Sequence, residues 1–376
     1  MTSMLLGIGV FGILGLSVLC PIVAWPGYYF RNRKTSAQDS QDDRLSTSLS
    51  LIEIIIPAHN EADLIGTTLE SLQCSIQQFQ TVSRAALMPN IVIRVGADAC
   101  TDQTTKIARQ FPLVFVTEFS EKRSKWATIK ALMTDSSADW VFLVDAGTIW
   151  PANLLGDFVR RIESEPQVIA VAPSYRPLKA GLLHRILWTI EMGLKRIEVS
   201  CGGPISLHGA TVGYRTDLLK KALVYLGDTL WLNDDVVIPL ALRALHPEGL
   251  VLYPVGQVQD VGSRNDQLDL GRRKRMLLGN LQWVAALLPV CFRLNPIAAL
   301  VATRRLFRIL WAYWLAFILF GLTWSFHLPV WPEFVVAGVL IVLSGSFRQL
   351  AGAAWVSLLA PFRIIRLNWA LGGSWK

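Results

Sequence analysis

Three hydrophobicity patterns follow one another along this chain. The first is an unbroken apolar run. Residues 4–29 read MLLGIGVFGILGLSVLCPIVAWPGYY without a single charge, and about 20 apolar residues suffice to cross a bilayer as a helix. RNRK follows at 31–34. A cleaved signal peptide carries its basic residues ahead of the apolar run, so 1–34 is expected to be an uncleaved anchor, N-terminus outside and RNRK inside. TSAQDSQDDRLSTSLS at 35–50 is polar and without period, which predicts a linker.

The second pattern runs from residue 51 into the 270s. Short apolar runs alternate there with stretches of helical spacing, the signature of an α/β domain. IEIII at 52–56 predicts a strand that Pro57 ends, and LIGTTLESL at 64–72 a helix with Leu64, Thr68 and Leu72 on one face. IVIRV at 91–95 predicts a second strand ending at Val95–Gly96, with Asp98 and Asp102 just past it. VFLV at 141–144 predicts a third, running straight into Asp145 and a turn through Ala146 and Gly147.

The third pattern is apolar again but punctuated. Residues 281–303 contain Pro289, Arg293 and Pro296, which suits a helix lying in the membrane interface. LFRILWAYWLAFILFGLTWSF at 306–326 predicts a span with Arg304, Arg305 and Arg308 at its inner end. HLPVWPE makes a short outer loop, and FVVAGVLIVLSGSF at 334–347 returns to the inside near Arg348. Residues 351–371, with Arg363 and Arg366 among aromatics, predict a further interfacial helix or a fourth span. The expected domains are thus an anchor at 1–34, a linker at 35–50, a cytoplasmic domain at 51–283 and a membrane region at 284–376.

Composition supports the membrane segments. Of 376 residues 52% are hydrophobic, 14 are tryptophan, and the mean hydropathy is +0.40, high for a water-soluble domain. The net charge of +8 is concentrated: residues 271–376 hold twelve Lys or Arg against Glu333 alone, +11, which leaves −3 for the rest. That distribution excludes a nucleic-acid binder and suits the cytoplasmic face of a membrane. The five cysteines have no ligand-pair spacing, so a reduced compartment and no zinc site are expected.

Acidic residues recur at the predicted strand ends. Strand, acidic turn and helix form the unit of nucleotide-binding α/β folds, whose ligands sit at the carboxyl ends of the strands. Glu61 opens the first helix or caps it. Asp98 stands at a strand tip, and Asp102 is placed to cap the helix that Thr104 enters. Lys125, in KRSKWATIKAL, is either a solvated helix start or a phosphate contact. His208, in GGPISLHGATVGYRTDLL, is either a phosphate or metal contact or a buried structural histidine. Asp234 and Asp235 open a helix-like run in TLWLNDDVVIPLALR, as caps or as an acid–base pair. Arg275, in GRRKRMLLGN, belongs to a basic membrane-surface cluster or binds a diphosphate.

PAHNE, then ADACTDQT, then an apolar strand ending in aspartate resembles family 2 glycosyltransferases of the GT-A fold, a Rossmann-like α/β nucleotide-diphospho-sugar transferase domain, over residues 52–283. The resemblance implies that Pro57, Glu61, Asp98, Lys125, Asp145 and Arg275 serve the donor. Lys125 matches the lysine of a Gly-Lys-Gly-x-Ala-like stretch, with Trp126 in place of a glycine. Asp145 matches the first Asp of the family's Asp-x-Asp and would hold Mg²⁺ or Mn²⁺, with His208 as a further ligand. Gly147 stands where the second Asp usually is. Asp234–Asp235 match the Glu-Asp pair, Asp235 as base and Asp234 in support. Of the family's Q-x-x-R-W box only Arg275 remains, with Arg272 and Met276 in the Gln and Trp slots.

The implied activity is inverting transfer of one sugar from a nucleotide-sugar donor, UDP-linked, to a lipid-linked acceptor or polysaccharide precursor. It would take place at the cytoplasmic face of the inner (plasma) membrane, with membrane lipid as a further partner. Two alternatives are a processive β-polysaccharide synthase and a catalytically degenerate donor-binding subunit of a glycan-assembly complex. Three predicted spans are few for a polymer channel, and retention of Asp98, Asp145 and Asp235 speaks against a decayed site.

Overall fold

The computed structural model describes residues 2–12, 49–82, 88–177, 207–247, 249–261, 275–284 and 309–325, with 189, 191–193, 195, 286–287, 307, 351–352, 354–355, 357–359 and 362. The expected linker up to residue 48, most of the first apolar run, the segment 202–206, the span at 334–347 and most of the interfacial segments lie outside the described residues. The chain divides into two compact units. One is formed by Tyr29–Arg264 with Gly372–Trp375, the other by Met1–Tyr28 and Asn265–Leu371 with Lys376. The α/β unit thus ends before residue 283, and the GRRKRM segment belongs to the second unit.

The first unit is built on a seven-stranded mixed sheet. Its strands are β1 (Leu51–Ala58), β2 (Asn90–Asp98), β3 (Val114–Phe119), β4 (Trp140–Val144), β6 (Val168–Val171), β8 (Thr211–Arg215) and β9 (Leu250–Leu252), in the order β3-β2-β1-β4-β8-β6-β9. β1, β2, β3 and β4 are parallel, and β8 runs antiparallel to both β4 and β6. β1 is buried almost throughout, which explains its unbroken isoleucines: a central parallel strand covered on both faces shows no alternation. Pro57 does not end this strand. It pairs with Gly96 inside the ladder, and the pairing of β2 with β3 carries on to Asp98.

The connecting helices are α2 (Ala62–Val82), α3 (Thr104–Ala108), α4 (Lys125–Thr134), α5 (Leu154–Ser164), α6 (Thr216–Tyr225) and α7 (Asp234–Leu245), with α1 reserved for Thr2–Val10. α2 is longer than its sequence signature, and its buried stripe of Ile65, Leu69, Leu72, Ile76 and Phe79 joins Leu154, Leu155 and Phe158 of α5 in the core. α4 packs against β1 and β2. It comes close at Gly96, where a side-chain carbon would lie 2.5 Å from Thr128 Cγ2. A second, three-stranded sheet, β5 (Thr148–Ile149), β10 (Gln257–Asp260) and β7 (Ser174–Pro177), forms just after Asp145, with β10 in the middle.

In the second unit α1 packs on α8 (Trp311–Ser325). The contact depends on a missing side chain: a carbon at Gly9 would lie 2.5 Å from Ile318 Cγ1 and 2.8 Å from the Trp314 carbonyl oxygen. Ser357, fully buried, hydrogen-bonds the Ile309 carbonyl. Among the described residues no helix is long and apolar enough to cross a membrane.

Candidate active site

The carboxyl ends of β1 and β2 meet in three turns of unusual backbone. Asn60 (φ 54°), Ala99 (φ 48°) and Ser124 (φ 139°) all lie at positive φ without being glycine, a strain found mostly where surrounding contacts enforce it. The contacts are present. Asn60 Oδ1 accepts the Thr101 N–H at 2.8 Å. Asp102 accepts the N–H groups of Ala62 (3.0 Å) and Thr104 (2.9 Å), so one carboxylate ties the starts of α2 and α3 together. Burial raises its pKa, but the hydrogen bonds from Thr104 and Ala62 outweigh this and leave it below the usual range. Glu61 begins α2: its carbonyl accepts from Leu64 and Ile65, and its N–H donates to Thr104 Oγ1 at 2.8 Å.

Asp98 closes β2. It is fully buried, and its two oxygens accept the N–H groups of Arg123 (2.7 Å) and Ser124 (3.1 Å). These two residues lead directly into Lys125. Ser124 caps α4 by accepting the Ala127 N–H.

Lys125 is no solvated helix start. Its Nζ lies 2.7 Å from Asp145 Oδ1 and 3.0 Å from Asp234 Oδ2, bridging the end of β4 and the start of α7. Burial lowers its pKa, but the charges of Asp145 and Asp234 raise it further, so the ammonium stays protonated at any physiological pH. Asp235 remains half-buried beside this bridge. A side-chain carbon at Gly209 would lie 3.5 Å from Asp235 Cβ and 3.6 Å from Asp145 Oδ2, so both carboxylates flank that glycine. Below them, burial and the charges of Asp234 and Asp235 push the Tyr214 hydroxyl well above its usual pKa. The N-cap of α7 is Asn233, so neither aspartate serves as the cap.

One residue that the sequence reading passed over sets this arrangement. Pro239 lies four residues after Asp235 inside α7 and has no N–H to give to the Asp235 carbonyl. That carbonyl instead accepts the Leu207 N–H at 3.0 Å, which docks the segment carrying His208 and Gly209 onto α7. A proline at that spacing from the second aspartate was the available signal.

The metal expectation meets four observations. Gly147 has φ 93°, a conformation that suits glycine, and its N–H donates to Thr68 Oγ1 at 2.8 Å. The Asp145 oxygen Oδ1 is already bonded to Lys125. His208 stacks on Tyr175 at 3.7 Å between ring centroids, and its Nδ1 accepts the Ala210 N–H at 3.3 Å. A neutral ring in that arrangement carries its proton on Nε2, whereas a metal-bound imidazole usually donates from the nitrogen that is not on the metal. Among the described residues no group of three or more His, Cys, Asp or Glu is arranged to hold an ion. What fits is an ion already chelated by a diphosphate, since Mg²⁺ needs only one or two carboxylates beside phosphate oxygens and water. Asp145 is the residue that would hold it. Arg275 lies at the start of a helical stretch in the second unit.

Comparison with known proteins agrees with this geometry. Residues 53–223 match the model of glycosyl transferase family 2. A mannosyltransferase from Pyrobaculum calidifontis, solved with GDP-mannose and Mn²⁺, aligns over 95% of this chain and 99% of its own at 18% identity, with a TM-score of 0.63. That is a likeness of fold. Glucosyl-3-phosphoglycerate synthase from Mycobacterium tuberculosis, solved with Mn²⁺, UDP and glucosyl-3-phosphoglycerate, aligns over 61% of this chain and 78% of its own at 16% identity, with a TM-score of 0.41. Comparison with curated proteins found no match. The α/β unit, with its mixed sheet and its aspartates at the strand ends, carries a glycosyl transferase family 2 domain over residues 53–223.

Proposed function

We propose that the chain is an inverting transferase that moves one sugar from a UDP-linked donor to an acceptor at the cytoplasmic face of the plasma membrane, a lipid-linked glycan or polysaccharide precursor. The observation that carries the reading is the Lys125 bridge. It gathers Asp145 and Asp234 on one ammonium beside the half-buried Asp235, the acid that the family resemblance assigns as base. In a single displacement the acceptor oxygen bonds to the anomeric carbon while the bond to the diphosphate oxygen breaks. Asp235 takes the hydroxyl proton, and the nucleoside diphosphate leaves with the electron pair. Lys125 supplies positive charge toward that leaving group, and an Nε2–H of His208 would add a hydrogen bond. A divalent ion bound with the donor would offset the same charge.

Support for a membrane setting comes from the second unit and the charge distribution. α1 and α8 carry no charged side chain, meet at a glycine, and still expose Met4, Ile8, Leu319, Phe320 and Trp324. Close packing through small residues with apolar side chains outward suits helices in lipid. The basic residues gathered at 271–376 suit the cytoplasmic leaflet.

The test is nucleotide release from purified chain in lipid, over a panel of UDP-sugars with GDP-mannose included, with Mg²⁺ or Mn²⁺ and a membrane-lipid extract as acceptor. One donor should be turned over, and Asp235→Asn should bind it equally well while turnover falls by about 10²–10⁴-fold. Full activity in that variant sinks the assignment of the base. Release from no donor at all sinks the proposed reaction.

A further inference from the structure

Two carboxylates meet at one ammonium, and a third lies beside a neighbouring glycine. Lys125 Nζ contacts Asp145 and Asp234, and Asp235 flanks the same glycine as Asp145. Taken without the lysine, such a group of oxygens would attract a hard divalent cation. With it, one oxygen of Asp145 and one of Asp234 already accept from N–H donors, and a positive charge stands between them. An ammonium has three donors; these two contacts use two of them, and the third can meet an entering phosphate.

We propose that Lys125 is the resident counter-cation of this site: it positions Asp145 and Asp234 in the empty enzyme and bars free divalent ions, so that an ion enters only as a complex with the donor's diphosphate. The second half rests on the glycosyl-transfer reading above. The first half rests on the geometry alone.

The experiment titrates Mn²⁺ alone into the purified full chain and reads free Mn²⁺ by its paramagnetic resonance signal, first without nucleotide and then with UDP. Wild type should show no saturable Mn²⁺ binding until UDP is added. Lys125→Met should acquire one saturable Mn²⁺ site without UDP, tighter than in wild type by on the order of a hundredfold. Lys125→Arg, which keeps the charge, should behave as wild type. Adding Asp145→Asn to Lys125→Met should abolish the acquired site, which a merely loosened fold would not do. Saturable Mn²⁺ binding to nucleotide-free wild type overturns the proposal, and so does a folded Lys125→Met that gains none. Should Lys125→Met fail to fold, Lys125→Gln takes its place, and the wild-type titration decides by itself. If UDP brings no Mn²⁺ to wild type, the coupled entry of ion and donor is lost, while the gain in Lys125→Met still reports on the lysine.

Discussion

Asp98 at the end of β2 accepts the backbone N–H of Ser124 at 3.1 Å, one residue before the lysine that bridges the acidic site. The bond fixes where α4 begins. Ser124 sits at φ 139°, so the loop would not take this course unaided. Asp98→Asn would turn an amide N–H toward a donor in at least one position and leave a buried N–H without its acceptor. The expected cost is about 1–3 kcal/mol of stability, read as a lower urea midpoint. Catalysis should suffer as well, through misplacement of Lys125, with KM for the donor rising. An unchanged KM in a destabilised variant would mean that the loop keeps its course without this carboxylate.

Pro239 acts at a similar distance from the chemistry. Pro239→Ala restores an N–H that competes for the Asp235 carbonyl, which now accepts from Leu207. The helix gains a bond and a better helix former, while the segment with His208 and Gly209 loses its anchor. The expected outcome is a stability changed by about 1 kcal/mol or less together with a several-fold fall in kcat. Thermal denaturation and turnover measured side by side check it, and a parallel loss of both would count against the docking role.

Much of this was legible in the chain itself. The uninterrupted isoleucines of β1 announced a strand covered on both faces, and each acidic turn fell at a strand end because parallel strands deliver their carboxyl ends to one edge. The partners of those acids were not legible. Nothing local in KRSKWA tells that Lys125 reaches both Asp145 and Asp234, since the start of α4, the end of β4 and the start of α7 lie far apart along the chain. The burial of Asp98 was not legible either, because sequence shows position along a strand and not what covers it. The Glu53–Arg94 pair, 2.9 Å apart and mostly buried, was missed for the same reason: a charge inside an apolar run reads as an interruption until its partner on the next strand is known.

Gly147 illustrates how backbone shape limits what a site can become. At φ 93° a side chain is strained whatever the space around it. Gly147→Ala should therefore lower stability by about 1–3 kcal/mol, seen in the urea midpoint. Gly147→Asp carries the same backbone cost. Replacing the glycine with the family's usual carboxylate should thus destabilise the turn before it can add a ligand. A Gly147→Asp protein as stable as wild type would show that the turn can relax to a different φ.

Asp139 supplies a pH test away from the active site. Its carboxylate accepts from the Ser50 N–H (2.7 Å), the Ser50 hydroxyl (2.8 Å) and the Leu51 N–H (2.9 Å), pinning the start of β1 to the turn before β4. Burial raises its pKa, but the hydrogen bonds from Leu51 and Ser50 outweigh that and hold it below the ordinary value. A folded pKa below the unfolded one means that the ionised form is favoured by folding. The contribution is complete above the unfolded aspartate value of about 3.9 and is lost as pH falls below it, through the folded value. Urea midpoints of wild type and Asp139→Asn should therefore differ by a constant amount from neutral pH down to about pH 5 and converge below about pH 4. A difference that persists unchanged into acid would mean that the clamp works through the shape of the side chain and not through its charge.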